Sequence, residues 1–201
     1  MLLAFGITTA LLERHASGRG QVVDAAMTDG ISLLMTGIWS RAAQGRWSGE
    51  PGTNDIDSGA PFYDVYRTAD DGYMAVGAIE PRFWARLLDG LGLDPAELPE
   101  QWDRERWPAA KEQLAVAFAG RTREEWTAEF ADRDACVTPV LTMAEAPQAP
   151  QIAARGTLRT GPGGTQPAPA PRLSRTPLRV RSPSSTAEVL TRWGVPPEEQ
   201  R

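Results

Sequence analysis

The chain has 201 residues, 41% hydrophobic and 23% charged, so one ordinary domain or two small ones can bury a core without disulfides or metal, and a wholly disordered chain is excluded. The formal net charge of −5, with arginines interleaved among Asp and Glu, provides no basic stripe for a phosphate backbone and excludes nucleic acid as a partner. Cys136 is the sole cysteine and allows no intrachain disulfide, and the first apolar run is far shorter than the roughly 20 residues that span a bilayer, so a cytoplasmic protein without a membrane anchor is expected.

Residues 2–14 carry Leu, Phe, Ile and Ala on most sides of a helix, which therefore requires burial all round. An N-terminus of that kind is expected to be internal to a longer fold, with a covering segment ahead of it. A turn at 16–20 leads to a short strand at 21–24 and one longer helix at 25–44. Gly, Ser, Pro, Asn and Asp dominate 45–60, which reads as a connector and a domain boundary. Residues 62–67 and 73–78 predict a hairpin turned by Asp70, Asp71 and Gly72. Pro81 opens a helix continued by Phe83, Leu87, Leu88 and Leu91, and further helices are predicted at 107–118 and 123–130. Residues 135–141 form a strand that Pro139 confines to an edge or a strand end. The stretch 147–183, rich in Pro, Gly, Ala and Thr, reads as an extended covering segment whose residues 161–171 sustain neither helix nor central strand. A last short helix at 187–193 stops at Gly194 and the prolines after it.

The reactive side chains are sparse. His15, the only histidine, sits at a helix C-terminus, where an imidazole serves as a solvated end residue. Cys136 lies between Ala135 and Val137 and reads as a buried small hydrophobe without a basic neighbour to activate it. The Gly-Pro-Gly-Gly at 161–164 lacks the Lys-Ser/Thr of a phosphate loop and is a turn, and no metal-ligand spacing occurs. Asp24 and Asp29 flank a strand-to-helix transition and suit capping, while Trp84, Trp102, Trp107 and Trp126 suit helix packing. Glu80 stands at the end of a strand directly before Pro81, a position that serves equally a helix cap or a site residue. By themselves these residues specify a soluble mixed α/β fold and no activity.

The segment GAPFYDVYRTADDGYMAVGAIEPRFW, from Gly59 to Trp84, resembles the opening of the small domain in the α-methylacyl-CoA racemases of the family III CoA-transferase (CaiB/BaiF) superfamily. GRGQVVDAAMTDG, from Gly18 to Gly30, resembles the strand-helix segment ahead of it, and DACVTPVL, from Asp134 to Leu141, the later strand. VGAIEP at 76–81 favours racemase over CoA-transferase, whose members usually carry a glycine-rich loop near this point.

The resemblance implies the C-terminal portion of the family III fold: residues 1–52 as a remnant of the large domain with a linker helix, 53–146 as an α+β small domain, and 147–201 as an extended segment returning to the incomplete large domain. It implies inversion at the α-carbon of a 2-methylacyl-CoA thioester through an enolate, with Glu80 supporting the catalytic groups and coenzyme A entering as part of the substrate; no permanently bound cofactor or metal is implied. The family's histidine, in a Gly-His-Asp segment, and its aspartate lie upstream of any residue in this chain, as does the half that provides much of the CoA site. Loss of a proton-transfer group costs roughly 10²- to 10⁴-fold, so the chain by itself is expected to have little racemase activity. Family members form interlocked homodimers, which makes a second copy, or a separate N-terminal half, the expected partner. A CoA-transferase parent and a non-catalytic interaction module are the alternatives.

Overall fold

The computed structural model describes residues 1–161, 163–178 and 184–195. It begins with helix α1 (Leu2–Ser17), which ends where Gly18 takes a left-handed φ of 74° and its N–H donates to the Arg14 carbonyl at 2.8 Å. No residue of α1 is buried, although its apolar side chains face most directions. Residues 21–24 form no strand, because no neighbouring strand offers ladder partners there. The single helix expected over 25–44 is instead two, α2 (Met27–Leu34) and α3 (Thr36–Ala43), separated at Met35. The Thr36 hydroxyl donates to the Leu33 carbonyl at 2.6 Å, a local side-chain bond that competes with the helical ladder at the break.

Strands β1 (Tyr63–Arg67) and β2 (Tyr73–Gly77) form the expected hairpin, with Tyr63 opposite Gly77 and Val65 opposite Ala75. Asp71, at φ 61°, makes the left-handed step of the turn. Helix α4 (Pro81–Leu91) has Pro81 at its first position and stops at Gly92, φ 69°. Helix α5 (Trp107–Phe118) buries Trp107, Ala110, Leu114 and Phe118 at helical spacing. Helix α6 (Arg123–Phe130) starts with a reciprocal capping box between Thr122 and Glu125 and buries Trp126 and Phe130. Strand β3 (Val137–Pro139) joins the other side of β2, giving an antiparallel sheet of order β1-β2-β3 in which Pro139 is on an edge strand.

Alternation then divides the sheet. Tyr66, Met74, Val76 and Val137 point inward to join Leu87, Leu88, Leu114 and the aromatic side chains of α4 to α6. Tyr63, Val65 and Tyr73 stay on the open face at 39%, 49% and 45% exposure. Phe62, fully buried, meets Trp84 and Trp107 edge-on, and Phe118 stacks on Tyr66 with centroids 5.1 Å apart.

Two expectations about this region need correction. Cys136 is exposed and has φ 54°, since the inward positions on either side of it go to Ala135 and Val137. Trp102 lies outside any helix at 48% exposure, its ring tilted 55° against Phe62 with centroids 4.8 Å apart.

The chain divides into two compact units, Met1–Val140 and Leu141–Arg201. In the second, the segment expected to be extended contains helix α7 (Pro150–Arg155) and a hairpin of β4 (Leu158–Gly161) and β5 (Gly164–Pro167). Gly161 paired with Gly164 at the tip, and a strand proline only at 167, the last position of β5, reconcile this with the composition. Helix α8 (Thr186–Arg192) follows a capping box between Ser185 and Glu188. Residues 179–183 of the proline-rich segment, and the prolines after Gly194, lie outside the described residues.

Candidate functional site

The site is built where β2 gives way to α4. The ladder of β2 ends at Gly77, whose N–H donates to the Cys136 carbonyl at 2.9 Å. Ala78 is fully buried, Ile79 half-buried, and Glu80 exposed. Glu80 is the N-cap residue of α4, with φ −74° and ψ 143°; its carbonyl accepts from the N–H groups of Phe83 and Trp84 at 2.9 and 3.0 Å. Its carboxylate makes no capping hydrogen bond, so the helix takes only the backbone of this residue. The side chain remains outside the capping role that the sequence offered it.

The backbone leading to Glu80 is held by Gln101. The Gln101 side-chain amide donates to the Ala78 carbonyl at 3.3 Å and to the Ile79 carbonyl at 2.8 Å. Gln101 is held in turn, because the buried Trp107 indole N–H donates to its carbonyl at 2.9 Å. Sequence reasoning did not find Gln101: a glutamine in a polar loop has no periodic signature, and the two carbonyls lie more than twenty positions away.

Cys136 lies beside the end of β2, its carbonyl accepting from the Gly77 N–H. Partial desolvation raises its thiol above the usual range, the negative charges of Asp134 and Glu80 add to that, and the Arg82 guanidinium opposes it. This setting disfavours the thiolate, the form in which a cysteine acts as a nucleophile. Beside it, the open sheet face forms a concavity of about 500 Å³ lined by Tyr63, Val65, Ala75, Gly77, Cys136 and Thr138. β2 lines it with the small residues Ala75 and Gly77, and β1 with the larger Tyr63 and Val65. At its rim Lys111 pairs with Asp64 at 2.6 Å and donates to the Ser58 carbonyl at 2.5 Å.

The other sequence candidates fall elsewhere. His15 is exposed in the last turn of α1, as expected of a solvated end residue. Asp29 lies in the first turn of α2 and Asp24 ahead of it, both exposed, and the N-cap itself is Ala26, so neither aspartate is a side-chain cap. Trp84, Trp107 and Trp126 are buried in the core. Among the described residues, no group of His, Cys, Asp or Glu is arranged to hold a metal ion, and no helix is long and apolar enough to cross a membrane. The junction thus offers the exposed Glu80 carboxylate on a tethered backbone, close to Cys136 at the edge of the concavity, where it can orient or stabilise a partner group.

Comparison with known proteins places this geometry. The family model described as CoA-transferase family III matches residues 1–186. The chain is 46% identical over 206 residues to α-methylacyl-CoA racemase of Mus musculus, covering 99% of this chain and 54% of that protein. Against α-methylacyl-CoA racemase of Homo sapiens the identity is 42% with the same coverage. The chain thus spans about half the length of these curated relatives. Among solved structures it resembles Rv3272 from Mycobacterium tuberculosis, with TM-score 0.68 and 22% identity over 88% of this chain and 46% of that one. A CaiB/BaiF family protein from Brucella suis gives TM-score 0.67 at 21% identity, covering 96% and 52%. The fold is therefore a mixed α/β, partial family III fold.

Proposed function

Since this chain belongs to CoA-transferase family III, we propose that it is part of an α-methylacyl-CoA racemase-like protein, which inverts the α-carbon of 2-methylacyl-CoA thioesters by deprotonation and reprotonation. The observation that carries this reading is the 46% identity to the mouse racemase along 99% of the chain. Coenzyme A enters as part of the substrate, and no resident cofactor is required.

In this reading Glu80 supports proton transfer without carrying the proton across. Inversion needs two acid/base groups on opposite faces of the α-carbon and a donor for the enolate oxygen. The β2–α4 junction supplies the exposed Glu80 carboxylate on a backbone held by Gln101. The reading assigns the two proton-transfer roles to a histidine and an aspartate of the family that no residue here matches, and expects little activity from these residues alone. The exposed apolar residues of α1, among them Phe5 at 71% and Leu12 at 72%, fit covering by a second copy of the family protein or by an N-terminal half. A cytoplasmic location suits such a protein.

A second reading, CoA-transferase, is favoured by weaker relatives such as acetyl-CoA:oxalate CoA-transferase of Acetobacter aceti, 29% identical over 76% of this chain. The deciding experiment follows α-proton exchange of a 2-methylacyl-CoA in deuterated water, with the chain alone and with the chain plus the N-terminal half of a family racemase. Exchange only in the mixture, greatly slowed but still measurable with Glu80→Ala, is expected. CoA exchange between two acids without α-proton exchange would establish the transferase reading instead.

A further inference from the structure

We infer that Gln101 is a positioning residue for Glu80, acting through the backbone of the β2–α4 junction; this rests on the reading that Glu80 supports α-proton transfer. After Gly77 the strand ladder no longer fixes the chain, and before Phe83 the helical ladder does not yet do so. Glu80 sits in that gap. Its carboxylate makes no bond to the helix start, so its placement follows from the path of the backbone at Ala78 and Ile79. Gln101 takes the carbonyls of both residues with one side-chain amide, at 3.3 and 2.8 Å.

The residue type fits the task. A terminal amide has two N–H donors, one for each carbonyl, and no charge. Lysine or arginine at this point would bring a cation to the junction and compete for the Glu80 carboxylate, whereas glutamine secures the backbone and leaves the carboxylate available. The tether is itself anchored in the core: the Trp107 N–H holds the Gln101 carbonyl at 2.9 Å, and Trp107, only 3% exposed, meets the fully buried Phe62 edge-on at 5.7 Å. A rigid path therefore runs from the aromatic core to the residue preceding α4.

Gln101→Met keeps the length of the side chain and removes both donors. Hydrogen exchange on the chain alone reads the tether without any turnover: exchange at the amides of Ile79, Phe83 and Trp84 should quicken roughly ten-fold, the loss expected for one net hydrogen bond, while Trp126 and other amides of α6 stay unchanged. Unchanged exchange at the junction, or equal loosening everywhere, overturns the inference. The catalytic consequence is read in the complemented enzyme. There Gln101→Met should lower kcat roughly 10- to 100-fold, as for a misplaced catalytic group, with KM unchanged, and should have no further effect once Glu80 is Ala. A fall of the same size in the Glu80→Ala background shows that Gln101 acts elsewhere and refutes it. If Glu80→Ala itself leaves exchange intact, the racemase role of Glu80 fails, while the amide measurement still decides whether Gln101 fixes the junction.

Discussion

Replacing Phe118 with alanine tests the packing that supports the sheet. Phe118 is fully buried, with Tyr66 stacked at 5.1 Å, Trp126 inclined at 5.4 Å and Phe130 at 6.4 Å. Truncation of a buried phenylalanine costs about 3–5 kcal/mol. Three ring partners lose contact together here, and ring pairs contribute beyond their buried area, so the upper part of that range, about 4 kcal/mol, is expected. The backbone carbonyl that accepts from the Trp126 indole at 2.8 Å is retained, which confines the loss to packing. With a urea dependence near 2 kcal/mol per molar, the midpoint should fall by about 2 M, a large part of a stability of roughly 5–15 kcal/mol. Equilibrium unfolding followed by tryptophan fluorescence measures it, with Trp39→Ala, at a side chain 58% exposed, as the control that should shift little. A fall below about 0.5 M with unchanged slope, or an equal fall in the control, would refute the placement of the core between the sheet and helices α5 and α6.

Three further outcomes follow from the loop ahead of β1 and from the sheet. Gly59→Ala should destabilise by roughly 1–3 kcal/mol or more in the same urea assay, because its Cβ would sit 2.4 Å from the Asn54 carbonyl oxygen and 2.6 Å from the Asn54 nitrogen, both backbone atoms. Tyr66→Phe should cost about 1 kcal/mol, since the buried hydroxyl donates to the Pro61 carbonyl at 2.7 Å and that acceptor would be left without it. At Asp57, desolvation raises the carboxyl, but hydrogen bonds from the Asn54 side chain and backbone and from Gly52 outweigh it and hold the group below its ordinary 3.8. A folded-state pKa below the unfolded one gives stability that is fully present above the ordinary value and is lost as pH falls through the depressed one. Urea midpoints measured from about pH 6 to about pH 2 should therefore fall less steeply for Asp57→Asn than for the parent below pH 4; parallel curves would remove the linkage.

Much of the fold was legible because its signals are local. The positions of Trp107, Ala110, Leu114 and Phe118, and the Thr122–Glu125 box, set the limits of α5 and α6, and Asp70, Asp71 and Gly72 set the hairpin. The break at Met35 was hidden, since the apolar pattern of 25–44 runs through it, and the Thr36 hydroxyl bonded to the Leu33 carbonyl beside it leaves no periodic signal. The strand expected at 21–24 failed for the opposite reason: a local pattern proposes a strand, but only a partner makes one. The hairpin of β4 and β5 was obscured by composition, as glycine and proline counted against regular structure, although glycine pairs at 161 and 164 and proline falls at the last strand position, 167.

The candidate site divides the same way. Glu80 was visible from its place before Pro81, but sequence gave it two roles at once, and the geometry separates them: the backbone caps α4 while the carboxylate does not. Cys136 was misjudged because an apolar neighbourhood in sequence does not say which side of an edge a residue faces; with Ala135 and Val137 both inward, the residue between them must turn outward. Gln101 left no trace, for its two acceptors are backbone carbonyls, and a carbonyl has no residue type to read. Such a tether constrains Gln101 but leaves Ala78 and Ile79 constrained only in size. The consequence is testable in sequence space: substitutions at 78 and 79 that keep volume should be tolerated, whereas loss of both donors at 101 should be felt at Glu80.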